Sequence, residues 1–262
     1  GGAYLPLDPA YPQERLAFML EDAGAGWVVT NRILVEAYPC IRSTNGHQSV
    51  VLDHTITSAT VAAISKNPIM KGQLLNRHSH NSLSYVIYTS GSTGKPKAIV
   101  LGSACLSSFI HASQLVFSLD TSDRIILSSN QLFDAFIEQI CLSVAFGCSL
   151  IIADPRDFSV GDLDGNPLNR IKPTFIDATP TLWQSALSNG FLGNDLRIAV
   201  SGGEPLTPEV AHALPELSDM CINTYGPAEC TIAVTSGCIA DQTGHLTIGK
   251  PLSNTQAYVV DA

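Results

Sequence analysis

The run YTSGSTGKPKA, from Tyr88 to Ala98, crowds glycines, hydroxyls and lysines directly behind the apolar run SYVI at 84–87. Gly91 and Gly94 allow successive backbone N–H groups to turn toward one anion. Ser90, Ser92 and Thr93 add hydroxyl donors, and Lys95 and Lys97 add positive charge. Such a set suits a phosphate. It is not a Walker A loop, because Pro96 follows Gly94–Lys95 where Ser or Thr is required, and Thr89 stands where that motif needs Gly. Nor does it spell the GxGxxG of a dinucleotide fold. A plain turn would need neither three neighbouring hydroxyls nor two lysines.

Two more glycine-containing stretches carry acids, SGGE at 201–204 and TYGPAE at 224–229. The elements around them alternate. YPQERLAFMLEDAG (11–24) has apolar residues at helical spacing, with Pro12 near its start and Gly24 at its end. GWVVT (26–30) and SVVLD (49–53) read as buried strands. RIILSS (124–129), SLIIAD (149–154), PTFIDAT (173–179), LRIAV (196–200) and MCINTY (220–225) read as further strands. Helical patterns lie between them at 133–147, 182–190 and 207–214. Strand–helix alternation with apolar strands predicts an α/β fold, a layered αβα core of mostly parallel sheet with covering helices. In such folds ligands sit at the carboxyl ends of strands. Thr89–Lys97, Ser201–Glu204 and Tyr225–Glu229 are all expected there, on one edge. The segment 54–82 is polar and reads as a surface excursion.

The 262 residues suffice for a substantial core, and 45% hydrophobic with 14% charged residues is a globular composition. A net charge of −9 disfavours nucleic acid as a partner. No apolar run is long enough to span a bilayer, and no secretory leader is evident. Seven scattered cysteines without a CxxC pair read as reduced thiols of a cytoplasmic protein, not as a disulfide framework or zinc site. The chain opens on Gly1–Gly2 without Met and reads as a piece of something longer.

YTSGSTGKPK resembles the phosphate loop of adenylate-forming enzymes, specifically the adenylation domains of nonribosomal peptide synthetases. GGAYLPLDPAYPQERLAFMLEDA (1–23), LFDAFIEQI (132–140), NTYGPAE (223–229) and IGKPLSNTQAYVVD (248–261) resemble further motifs of that family in the same order. The resemblance implies a partial N-terminal core of an adenylation domain over 1–262. Residues 1–83 form a first part and 84–262 the part with phosphate loop and substrate pocket; the C-terminal subdomain that supplies a catalytic lysine would lie beyond Ala262. It also implies the reaction: an amino acid carboxylate attacks the α-phosphate of ATP, and the adenylate passes to phosphopantetheine on a carrier domain. ATP and Mg²⁺ are the implied cofactors, and carrier and condensation domains of one assembly line the implied partners.

By the same resemblance, Thr89, Ser90, Gly91, Ser92, Thr93, Gly94 and Lys97 grip the β- and γ-phosphates. Tyr225 lies on adenine, Gly203, Glu204, Asn223 and Gly226 line the nucleotide pocket, and Glu229 holds Mg²⁺; Lys97 and Glu229 are the catalytic candidates. Asp134 pairs with the α-ammonium, which favours an α-amino acid over an aryl or keto acid. Ala135, Glu138, Asp177, Val200, Gly202, Thr224, Ile232 and Ala233 complete the substrate pocket. Glu138 stands four residues after Asp134 and shares its helix face. Three carboxylates around one cavity need cations, so Glu138 and Asp177 point to a basic side chain: lysine, ornithine, diaminobutyrate or arginine. The competing reading has one acid solvated or paired with a local Arg or Lys.

Ala98 and Ala228 depart from the family pattern, which has glycine and threonine there. Loss of the threonine hydroxyl removes a bond to a charged group, about 1.5–3 kcal/mol, and predicts slower adenylation. As given, 1–262 is expected to bind nucleotide weakly. A CoA-forming acyl or aryl ligase and a degenerate scaffold module are the rival readings; Asp134 disfavours the first, and the two alanines keep the second in view.

Overall fold

The structure is a computed structural model that describes residues 2–42, 46–64, 79, 81–90, 95–161, 166–240 and 245–260. The chain divides into two compact units, Gly1–Ser103 and Ala104–Ala262. The sequence-based division at 83/84 differs from this one, because the hairpin strands Leu83–Ser90 and Pro96–Gly102 are part of the first unit.

In the first unit, helix α1 (Gln13–Asp22) turns Leu16, Met19 and Leu20 inward, as its helical spacing predicts. Strands β1 (Trp27–Thr30) and β2 (Gln48–Val51) pair in parallel. Helix α2 (Arg32–Ala37) connects them, its first turn capped by Asn31, whose side chain accepts the Leu34 N–H. Leu16, Leu20, Val28, Cys40 and Ile41 form the small core. The two strands are less buried than their composition predicts. Val28 and Thr30 face the core, whereas the alternate residues Trp27 and Val29 are exposed, because only one face is covered. Helix α3 (Thr55–Ala63) buries none of its residues, in keeping with a surface excursion; most of 65–80 lies outside the described residues. Strands β3 (Leu83–Ser90) and β4 (Pro96–Gly102) then form an antiparallel hairpin, with Thr89 opposite Lys97.

The second unit is built on a seven-stranded sheet. Its strands are β5 (Arg124–Leu127), β6 (Ser149–Ile152), β7 (Phe175–Ala178), β8 (Ile198–Ser201), β9 (Met220–Tyr225), β10 (Thr235–Cys238) and β11 (Lys250–Pro251). Their spatial order is β11-β10-β9-β8-β7-β5-β6. The five from β9 to β6 run parallel, and β10 and β11 add antiparallel pairs at one side. Successive residues of each strand go to opposite faces. Ile126, Ile176 and Ala199 pack with Trp183 and Leu214, from helices α7 (Pro180–Ser188) and α8 (Pro208–Leu217). Ile125, Phe175, Ile198 and Ile222 pack with Phe117 and Leu142, from α4 (Ser103–Phe117) and α5 (Asp134–Phe146). Helices on both faces of a mostly parallel sheet make the layered α/β core that the alternation predicts. Local signals start and stop these helices: Thr179 and Thr207 cap α7 and α8 just before Pro180 and Pro208, and α5 ends at Gly147 with φ 70°. The short α6 (Pro167–Ile171) is capped by Asn166.

At the amino ends of the strands, Asp123 is almost fully buried. It receives Arg197 through Nε at 3.1 Å and Nη2 at 2.5 Å, and the Thr174 hydroxyl at 2.8 Å. Thr174 in turn accepts the Arg124 N–H at 2.8 Å. This polar knot joins β5, β7 and β8 at one edge of the sheet; the opposite edge is open.

Candidate active site

The open edge holds a cavity of about 480 Å³. Its walls are the segments that leave the carboxyl ends of four parallel strands: Ser128–Asn130 after β5, Asp177–Thr179 from β7, Gly202–Glu204 after β8, and Thr224 with Gly226 from β9. The first turns of α5 and the residues Ile232 and Ala233 close it. This is where ligands bind in open α/β sheets.

Asp134 opens α5, half-buried, at the positive end of the helix. The backbone N–H groups of its own residue, of Ala135 and of Ile232 favour its ionised form. Burial nevertheless pushes the carboxyl above its ordinary range, and the N–H bonds only partly offset this. Thr231 and Ile232 both adopt left-handed backbone, φ 68° and 69°, an unfavourable conformation for β-branched residues. The strained turn brings the Ile232 N–H to Asp134, and its backbone crosses tightly over Gly226. A Cβ on Gly226 would stand 2.4 Å from the Ile232 carbonyl oxygen and 2.5 Å from the Ala233 Cα.

Glu138 and Asp177 lie deeper, 5% and 8% exposed, and hydrogen-bond to each other. Two carboxyls share a bond only if one carries a proton. Burial, then the charge and hydrogen bond of Asp177, then the charge of Asp134, push Glu138 well above the usual carboxylate range. Asp177 is pushed up to about 6, chiefly by burial, with its bond from Glu138 opposing. Both carboxyls are thus held toward the protonated form, as a shared bond requires of one of them. Among the described residues no lysine, arginine or histidine forms an ion pair with either. Neither acid is solvated, and neither has a basic partner among the described residues.

The cavity thus brings together Asp134, Ala135, Glu138, Asp177, Gly202, Thr224, Ile232 and Ala233, with Gly203, Glu204 and Gly226. Glu204 accepts the Thr181 N–H at 3.2 Å and its hydroxyl at 2.6 Å. Val200 is not in the lining. It is 1% exposed and packs in the apolar layer with Phe175, Ile198 and Ile222, under helices α4 and α5. Asn223 is also outside the lining; its Nδ2 donates to the Thr247 carbonyl at 2.7 Å, so the amide ties β9 to the 245–249 segment. Tyr225 ends β9 with 49% of its surface exposed, leaving the ring open for stacking. Glu229 is exposed and lines a second cavity of about 380 Å³, between α4 and residues 252–255.

The phosphate-loop candidates are partly outside the described residues: Gly91, Ser92, Thr93 and Gly94. Thr89 and Ser90 are the last residues of β3, and Lys97 is exposed on β4. The expectation that three loops share one sheet edge is corrected here. Ser201–Glu204 and Tyr225–Glu229 do follow adjacent parallel strands, whereas Thr89–Lys97 connects an antiparallel hairpin of the first unit. The apolar run SYVI gave no hint of this, because strand direction is a pairing property.

Sequence reasoning did not single out Ser128–Asn130, although strand-end position was the available signal. It also passed over α4, whose serine-rich sequence has a weak apolar stripe, and Gln139.

A family model of AMP-binding enzymes matches residues 1–262, and the chain belongs to that family. It is 32% identical over 266 residues to a dimodular nonribosomal peptide synthase of Bacillus subtilis (strain 168), with all of this chain and 11% of that protein covered. Among solved structures it resembles holo-AB3403, a four-domain nonribosomal peptide synthetase bound to AMP and glycine, at 26% identity and TM-score 0.76 over 99% of this chain and 18% of that one. The AMPPNP-bound nonribosomal peptide synthetase FmoA3 has the same fold, at 24% identity and TM-score 0.81 over 100% of this chain and 27% of that one. The chain thus spans a small part of the proteins it matches.

Proposed function

We propose that the protein carrying this chain joins an amino acid to AMP, consuming ATP and releasing pyrophosphate, and passes the aminoacyl group to phosphopantetheine on a carrier domain of a nonribosomal peptide assembly line. The observation that carries the reading is the Asp134 carboxylate in the lining of a strand-end cavity, raised by burial. An α-ammonium beside it would offset the burial cost of its ionised form. The substrate carboxylate is then held near the strand ends, in the part of the cavity lined by Gly202, Gly203 and Gly226. Positioning two anionic reactants contributes most of what such a reaction needs from protein. Tyr225 offers an exposed ring to adenine, and the residues from Thr89 to Lys97 the donors to phosphate.

Glu229 fits a magnesium ligand. Its carboxylate is exposed, and Mg²⁺ takes one or two carboxylates with phosphate oxygens and water. Bound there, the ion would neutralise phosphate charge.

The substrate side chain in this reading is basic. A buried pair that holds one proton carries a single negative charge with no described protein cation beside it, and is complementary to one ammonium or guanidinium. ATP–pyrophosphate exchange by the full synthetase tests both levels. Lysine, ornithine, diaminobutyrate or arginine should be the best substrate of a twenty-plus amino acid panel. Strong exchange with an apolar residue and none with a basic one refutes the side-chain assignment; no exchange with any amino acid refutes adenylation itself.

A further inference from the structure

Gln139 lies outside every role assigned above. Its side chain is fully buried and lines no part of the cavity. Oε1 accepts the N–H groups of Ser128 and Ser129 at 3.2 and 3.3 Å. Nε2 donates to the Ser129 hydroxyl at 3.0 Å and to the Asp177 carbonyl at 3.2 Å. The partners fix the amide orientation: two N–H donors require the oxygen, and the carbonyl requires the nitrogen.

These bonds cross a break in the sheet. Strands β7 and β8 stay in register over four pairs, from Phe175–Ile198 to Ala178–Ser201. Strands β5 and β7 share a single pair, Ile125–Phe175. Beyond it, toward the cavity, no further ladder pair among the described residues ties the segment after β5 to Asp177. Gln139 fills that place, and it projects from the same helix that carries Asp134 and Glu138. One amide therefore joins three walls that the backbone leaves separate.

We propose that Gln139 is a positioning residue for amino acid recognition: it sets the spacing between Asp177 and the helix bearing Glu138, and so keeps the two carboxyls in mutual contact for the incoming side chain. This rests on the adenylation reading. A donor is essential at Nε2, because an acceptor there would face the Asp177 carbonyl. Gln139→Met keeps the volume and removes all four bonds. Gln139→Glu keeps the two N–H bonds and loses the donor.

The full synthetase, wild type and both variants, is assayed by pyrophosphate exchange with its best amino acid, with hydrogen exchange followed in parallel. In Gln139→Met the KM for the amino acid should rise at least about tenfold while the KM for ATP stays within about twofold, as loss of buried hydrogen bonds at one subsite requires. Gln139→Glu should fall between it and wild type. Equal rises in both KM values, or no rise in either, overturn the proposal. The second readout needs no turnover. Protection of the β7 amides should depend on pH through the Asp177 titration in wild type, and this dependence should flatten in Gln139→Met. An unchanged profile overturns the proposal even if no amino acid is activated, whereas wild type without exchange activity refutes only the adenylation reading. If Gln139→Met does not fold, the same KM split and flattened profile in Gln139→Glu decide the question.

Discussion

Replacing Asp177 by Asn should stabilise the substrate-free protein, and more so as pH rises. The native structure raises this carboxyl from 3.8 to about 6. A carboxyl raised on folding binds more protons in the native state than in the unfolded one between these two values, so stability falls as pH rises through that window. Below 3.8 the cost is absent; above 6 it is fully present. The difference of about two pH units corresponds to about 3 kcal/mol. Asn offers Glu138 both an acceptor and a donor and cannot ionise. Protection factors for amides of β7 and α5, measured at matched pH under conditions where opening is at equilibrium, should therefore be about 15-fold higher in Asp177→Asn than in wild type at pH 5, and about 150-fold higher above pH 7. A ratio that stays constant from pH 5 to 8, or a wild type better protected at neutral pH, would refute the account of Asp177 as a buried, raised carboxyl without a cation.

Two further expectations concern the frame and the turn. Arg197→Met leaves Asp123 buried with its principal cation removed, and should destabilise the second unit by about 3–5 kcal/mol, read by denaturant unfolding. Gly226→Ala places a Cβ within 2.5 Å of the Ile232–Ala233 backbone. Displacement of that segment withdraws the Ile232 N–H from Asp134, so amino acid KM should rise by more than about tenfold, since losing a hydrogen bond to a charged group costs about 1.5–3 kcal/mol.

Much of the site was legible because its residues follow strands in sequence. FDAFIEQ set Asp134 and Glu138 four apart on one helical face, and the structure has both on α5. SGGE and TYGPAE lie after apolar runs, and those runs are neighbouring parallel strands. Periodicity could not reveal which face of β8 the cavity opens on, and Val200, two residues before Gly202, is core. Nor could it show that Asn223, within the same motif as Tyr225, has its amide bound to Thr247.

The sequence by itself determined the family, the element order and the acids that could meet, because these depend on local pattern and on motif residues read one at a time. The tertiary structure alone decided that Glu138 and Asp177 are buried against each other and both raised, that no described basic side chain answers them, and that Gln139 closes the gap between β5 and β7. Charge state and hydrogen-bond satisfaction depend on burial and on partners distant in sequence: Gln139 and Asp177 are 38 residues apart. No local pattern encodes the distance between them.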